Sequence, residues 1–221
     1  MAIKQVPPSY YASTGILNEI LNSVANAATT TAATTTAATT PVPSKLQTKN
    51  WRREQQWYKG GRKTECEKVQ RIQIETITGK KCPKTHTRIN KRTYQMKPFS
   101  NPMKNPDGYD WTEDCDGEQQ LVGKDGTTYK LLYNCKMVCD AGGTQTRTLR
   151  DVYEFIEAQL HVLLLGNHAN VYFINILEGN QSYLRKKHFI YLLNLPEYAS
   201  VKEKVFIDDM CAFDAWFQAR F

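Results

Sequence analysis

From Gly142-Gly143 onward the hydrophobic positions switch between two periods. Leu149, Val152, Phe155, Ile156, Leu160 and Leu163 recur at i, i+3, i+4 spacing, which predicts one long helix with a single buried stripe. Val171-Tyr172-Phe173-Ile174-Asn175-Ile176-Leu177 is a run of β-formers closed by Glu178-Gly179-Asn180, the pattern of a buried strand. A second helix is predicted over Tyr183–Leu193, ahead of Pro196, then a short last strand at Val205-Phe206-Ile207 and an aromatic-rich helix over Met210–Phe221. Upstream, Gly123-Lys124-Asp125-Gly126 is a turn signal between Gln119–Val122 and Thr127–Val138, and the two arms read as a hairpin. In the second arm Tyr129, Leu131, Tyr133, Cys135 and Met137 point one way and Lys130, Leu132, Asn134, Lys136 and Val138 the other, so Asn134 and Lys136 share a face. Between Thr64 and Thr78 the residues Val69, Ile72, Ile74 and Ile77 mix both periods and predict only an ordered segment, ended by Gly79-Lys80.

The first third of the chain reads differently. Ile16, Leu17, Ile20, Leu21 and Val24 give residues 1–27 a short amphipathic helical segment, and residues 28–43, almost pure Thr and Ala before Pro41-Val42-Pro43, are expected to be a disordered linker. The folded domain is therefore expected over residues 44–221. Its fold class is α/β, a mixed central sheet with flanking helices. Apolar runs such as Val162–Leu165 fall far short of the roughly 20 residues of a membrane helix. The N-terminal stretch, broken by Lys4, Pro7 and Pro8, does not read as a secretory leader, so the expectation is an intracellular protein with no membrane partner. None of the six cysteines shares the C-x-x-C spacing of a zinc site, and free thiols are expected.

Charge adds a second division. Residues 51–104 carry 15 Lys or Arg against 4 Asp or Glu, whereas residues 105–221 carry 11 against 17. The basic segment is interleaved with Trp51, Trp57, Tyr58 and Tyr94, a composition suited to phosphates and to flat sugar or base surfaces. Nucleic acid is the expected partner, with Arg52, Arg53, Arg62 and Lys63 as contacts. The same charge also suits a solvated lysine-rich face or a packaging arm. No G-x-S-x-G, Walker loop or G-x-G-x-x-G appears, which removes support for esterase, nucleotide hydrolase and dinucleotide readings.

Asp110, Glu113, Asp114 and Asp116 cluster where the hairpin begins, and Asn134-Cys135-Lys136 lies on its second arm, followed by Gly142-Gly143-Thr144-Gln145-Thr146-Arg147 at the start of the long helix. In the order hairpin, helix, strand, helix, this block resembles the PD-(D/E)xK nuclease superfamily, and type II restriction endonucleases within it, over about residues 105–195. The resemblance implies a restriction-endonuclease-like sheet, Mg²⁺ as cofactor, double-stranded DNA cut at a specific site and a homodimer matched to palindromic sites. It assigns catalysis to Asp116, Asn134 and Lys136, the metal to Asp116, Asn134 and Asp114, and phosphate contacts to Gln145, Arg147 and Arg150. The chemistry supports such a set: a carboxylate holds Mg²⁺ against the scissile phosphate, and a lysine on the same face offsets the charge that develops on phosphorus.

The sequence departs from the pattern at Asn134, where an acid is expected; an amide oxygen binds a hard cation more weakly, so Asp114 or Glu113 would share the ion. Register matters too. One pairing sets Asp116 opposite Asn134, another sets Asp114 there, and the pairing between them sends Asp116 to the far face. The alternative from another class is a non-enzymatic DNA-binding or virion-packaging protein, with the acids as turn residues and Lys136 as a surface lysine.

Overall fold

The computed structural model describes residues 48–61, 65–98 and 107–221. The expected helix at residues 1–27, the linker at residues 28–43, and Arg62 and Lys63 lie outside the described residues. Among the described residues no helix is long and apolar enough to cross a membrane.

Two short helices, α1 (Thr48–Glu54) and α2 (Gln56–Lys59), precede helix α3 (Cys66–Thr78). The ambiguous Thr64–Thr78 segment is thus helical. Its buried stripe is Val69, Gln70, Gln73 and Ile74, half of it polar, so counting apolar residues alone leaves the period unresolved. Gly79 ends the helix in the left-handed conformation that glycine adopts most readily. Then come β1 (Thr87–Asn90), β2 (Met96–Pro98) and β3 (Thr112–Asp114), which form an antiparallel three-stranded sheet with β1 in the centre. These strands fall in the part of the sequence read only as a basic segment and a cluster of acids.

The hairpin follows as β4 (Gly117–Val122) and β5 (Thr128–Met137), then α4 (Gly143–Leu164), β6 (Val171–Glu178), α5 (Asn180–Leu193), β7 (Val205–Asp208) and α6 (Met210–Arg220). The four strands make a mixed sheet in the order β4-β5-β6-β7, with β4 antiparallel to β5 and the β5-β6 and β6-β7 pairs parallel. As the alternation predicts, β5 feeds two cores. Leu131, Tyr133 and Cys135 pack with Ile74, Ile174, Ile176, Phe213 and Phe217, whereas Leu132 packs with Phe155, Ile156, Leu160, Phe173 and Phe189. The result is a sheet between two helical layers, α3 and α6 on one face and α4 and α5 on the other. At about 25 cal/mol per Å² of apolar surface, burying both faces is the main stabilising contribution.

Two ends of this sheet are fixed by specific chemistry. Gly179, with φ 96°, brings the end of β6 so close to β5 that a Cβ there would lie 2.6 Å from the carbonyl oxygen of Val138. Asp209 caps α6, its carboxylate accepting from the backbone N–H of Ala212 at 2.9 Å.

Candidate active site

The hairpin register decides which acid reaches Lys136. Gly117 pairs with Tyr133 and Val122 with Thr128, and Asp116, in the bend just ahead of β4, donates its backbone N–H to the Tyr133 carbonyl at 2.7 Å. At Gly117 the start of β4 packs closely under Arg71 and Cys82, where a Cβ would meet Cys82 Sγ at 2.8 Å and Arg71 Cδ at 3.0 Å. The Asp116 carboxylate then folds onto β5. Its Oδ2 accepts from the backbone N–H of Cys135 at 2.7 Å and from Lys136 Nζ at 3.2 Å.

Lys136 also donates to Oε1 of Glu67 at 3.2 Å. Glu67 comes from the first turn of α3, where the helix dipole favours a carboxylate. Three separate segments, the start of β4, the end of β5 and the N-terminus of α3, therefore converge on one ammonium group. Reading the hairpin alone overlooks Glu67; its sequence signal, an acid in the first turn of a helix, is too common to be diagnostic.

Burial and ion pairing pull the charges in opposite directions. Asp116 and Lys136 expose 12% and 20% of their side chains, whereas Glu67 is about half exposed. Burial raises the Asp116 carboxyl to about 6, against the lowering effects of Lys136 and the Cys135 N–H. For Lys136, burial acts to lower the pKa, but the Asp116 and Glu67 carboxylates together outweigh it and hold it above its ordinary range. Glu113 is also raised by burial, with Lys136 and Lys91 pulling it back. A lysine held this firmly protonated cannot take a proton from water near neutral pH. It is suited to stabilising negative charge on a phosphoryl group.

The other residues expected in the site divide. Asn134 lies between Tyr133 and Cys135, the two residues whose backbone groups bond Asp116, yet it is only 1% exposed and its amide nitrogen donates to Asn175 Oδ1 at 2.9 Å. Asn175 and Gln159 exchange two further amide hydrogen bonds, at 2.8 and 3.1 Å, and these link α4, β6 and β5 beneath the site. Asp114 points away from Lys136 and pairs with Arg88 of β1. Arg52 is committed to the fold: it donates to Asp140 at 3.1 Å and to the Met137 carbonyl at 3.4 Å, at the end of the strand that carries Lys136. Arg53, Arg147 and Arg150 are exposed, and Gln145 is half-buried in the first turn of α4.

Among the described residues no three His, Cys, Asp or Glu side chains form a ready metal cluster. The donor set of Asp116 and Glu67 nonetheless fits Mg²⁺. That ion is commonly held by one or two carboxylates, with waters and substrate phosphate oxygens completing the shell.

The chain matches no family model, no curated protein and no solved structure.

Proposed function

We propose that this protein is a Mg²⁺-dependent endonuclease with a restriction-endonuclease-like core, hydrolysing phosphodiester bonds of double-stranded DNA at a specific site. The observation that carries the reading is the meeting of Asp116, Lys136 and Glu67 at one end of the β4-β5 hairpin, the acids and the lysine each within 3.2 Å. Asp116 and Glu67 would hold the ion, which when bound polarises a phosphoryl oxygen and lowers the pKa of a bound water. Lys136, kept protonated, offsets the charge that builds on the phosphoryl oxygens. Asn134 acts as a positioning residue: its bond to Asn175 fixes the β5 backbone, and the next N–H along, that of Cys135, orients Asp116. Exposed Arg147 and Arg150 near the start of α4 suit adjacent phosphates, and the helix N-terminus adds partial positive charge there. A homodimer would match the symmetry of a palindromic site.

A second reading has its own support. Lys136 already pairs with both carboxylates, as it would in a structural ion-pair lock within a DNA-binding or packaging protein. Digestion of plasmid DNA by the purified protein separates the two. Discrete fragments with uniform ends in Mg²⁺, and none in EDTA, support the endonuclease. DNA held equally in both buffers, with no nick, supports the binding protein.

A further inference from the structure

A cleft of about 430 Å³ opens between α4 and α5, away from the Lys136 cluster. Its walls carry Arg150 and Tyr153 from α4 and Arg185, His188, Phe189 and Tyr191 from α5. Tyr153 and Phe189 form the floor, with ring centroids 6.3 Å apart, and Tyr191 is 66% exposed. Both arginines are exposed, neither has a carboxylate partner among the described residues, and no acid lines the cleft. Uncompensated guanidinium groups beside exposed rings complement a ligand that has an anion and a flat apolar face. A nucleotide has both, and the volume lies within the roughly 300–1,000 Å³ of small-molecule sites.

The topology links this cleft to the hairpin. β5 and β6 run parallel, paired up to Met137 and Glu178, so α4 and α5 both begin at the sheet end where Lys136 stands. Bases inside a duplex are stacked on both faces and offer none to a tyrosine; an unpaired nucleotide does. We propose that the cleft binds one unpaired nucleotide of the DNA, its phosphate on Arg150 and Arg185 and its base against Tyr153 and Tyr191, so that the preferred substrate carries a single-stranded stretch beside the duplex. This deepens the endonuclease reading and rests on it for the role of the bound strand.

Fluorescence anisotropy of the full chain in EDTA tests it, with four probes: a blunt duplex, the same duplex with a single-stranded overhang, the overhang strand alone, and that strand with abasic sites. The overhang duplex should bind about tenfold more tightly than the blunt one, and the abasic strand should lose most of the affinity of the normal strand, as stacking predicts. Tyr191→Ala and Arg185→Ala should each remove the preference and leave blunt-duplex affinity within about threefold, because these side chains are exposed and lie outside both the Lys136 cluster and the start of α4. Equal wild-type affinity for the blunt and overhang duplexes overturns the proposal, as does a preference that survives both variants. It is also overturned if Tyr191→Ala changes only self-association in sedimentation velocity, which would give the cleft to a second copy of the chain. Binding in EDTA involves no cleavage, so loss of the preference and absence of Mg²⁺-dependent cutting are separate results.

Discussion

Replacing Lys136 by Met removes the ammonium that Asp116 and Glu67 share while keeping most of the aliphatic volume. Sequence pattern alone allows a surface lysine whose loss leaves stability untouched, but only 20% of this side chain is exposed. Breaking a buried pair from one side costs about 3–5 kcal/mol because the remaining charge is stranded. The cost here falls toward the lower end, about 2–4 kcal/mol, since Asp116 keeps the 2.7 Å bond from the Cys135 N–H and both groups reach some solvent. The cost depends on pH. Asp116 titrates near 6 in the folded protein, above its ordinary 3.8, and without Lys136 it moves higher still. A raised carboxyl favours the folded state below the unfolded pKa, and that contribution is lost as pH rises through the folded value. The variant should therefore unfold at nearly wild-type urea concentration near pH 4.5 and at a much lower one near pH 8. Circular dichroism during urea unfolding at both pH values reads this directly. Equal deficits at the two pH values, or a deficit at pH 8 below about 0.5 kcal/mol, would refute the buried-pair account.

Gly179→Ala should cost about 2–5 kcal/mol, combining an alanine at φ 96° with a Cβ 2.6 Å from the Val138 carbonyl oxygen, and thermal unfolding checks it. Asn134→Asp restores the acid expected from the superfamily pattern but sets a carboxylate against Asn175 Oδ1, 2.9 Å from the present donor; a loss of about 1–3 kcal/mol is expected in urea unfolding, with no gain in Mg²⁺ sensitivity. Arg52→Ala should lower the melting temperature through loss of the Asp140 and Met137 bonds, whereas Arg53→Ala should leave it unchanged and reduce the salt dependence of DNA binding by about 0.9 if Arg53 contacts one phosphate.

The elements that sequence pattern makes legible are those whose burial is one-sided or complete. The α4 stripe from Leu149 to Leu163, the buried run of β6 and the alternation of β5 all appear where their periods place them, because sheet and helix each bury one regular set of positions. The turn at Gly123–Gly126 joins the expected arms, pairing Gly117 with Tyr133, while Asp116 sits in the bend ahead of β4 and reaches β5 through its carboxylate on the Cys135 N–H. Helix α3 is harder to read because Gln70 and Gln73 occupy half of its buried stripe. The sheet of β1, β2 and β3 is harder still: its strands are three or four residues long, too short for alternation to register. Glu67 reaches Lys136 from 69 residues away, a contact that only the packing of α3 on the sheet creates. The same packing explains Asn134, whose amide serves Asn175, a partner that parallel pairing of β5 and β6 brings alongside.

The central claim is that Lys136 stabilises charge during phosphodiester hydrolysis, and the single-turnover cleavage rate of Lys136→Met against wild type tests it most directly. Both proteins are held folded, as verified by circular dichroism, with duplex DNA bound to saturation in Mg²⁺. Removing one preorganised group of this kind costs on the order of 100- to 1,000-fold in rate, so the variant should be slower by that factor while its DNA affinity in EDTA stays within about threefold of wild type. A variant that cleaves within about threefold of the wild-type rate would contradict the claim, and so would a wild-type protein that leaves the duplex uncut in Mg²⁺.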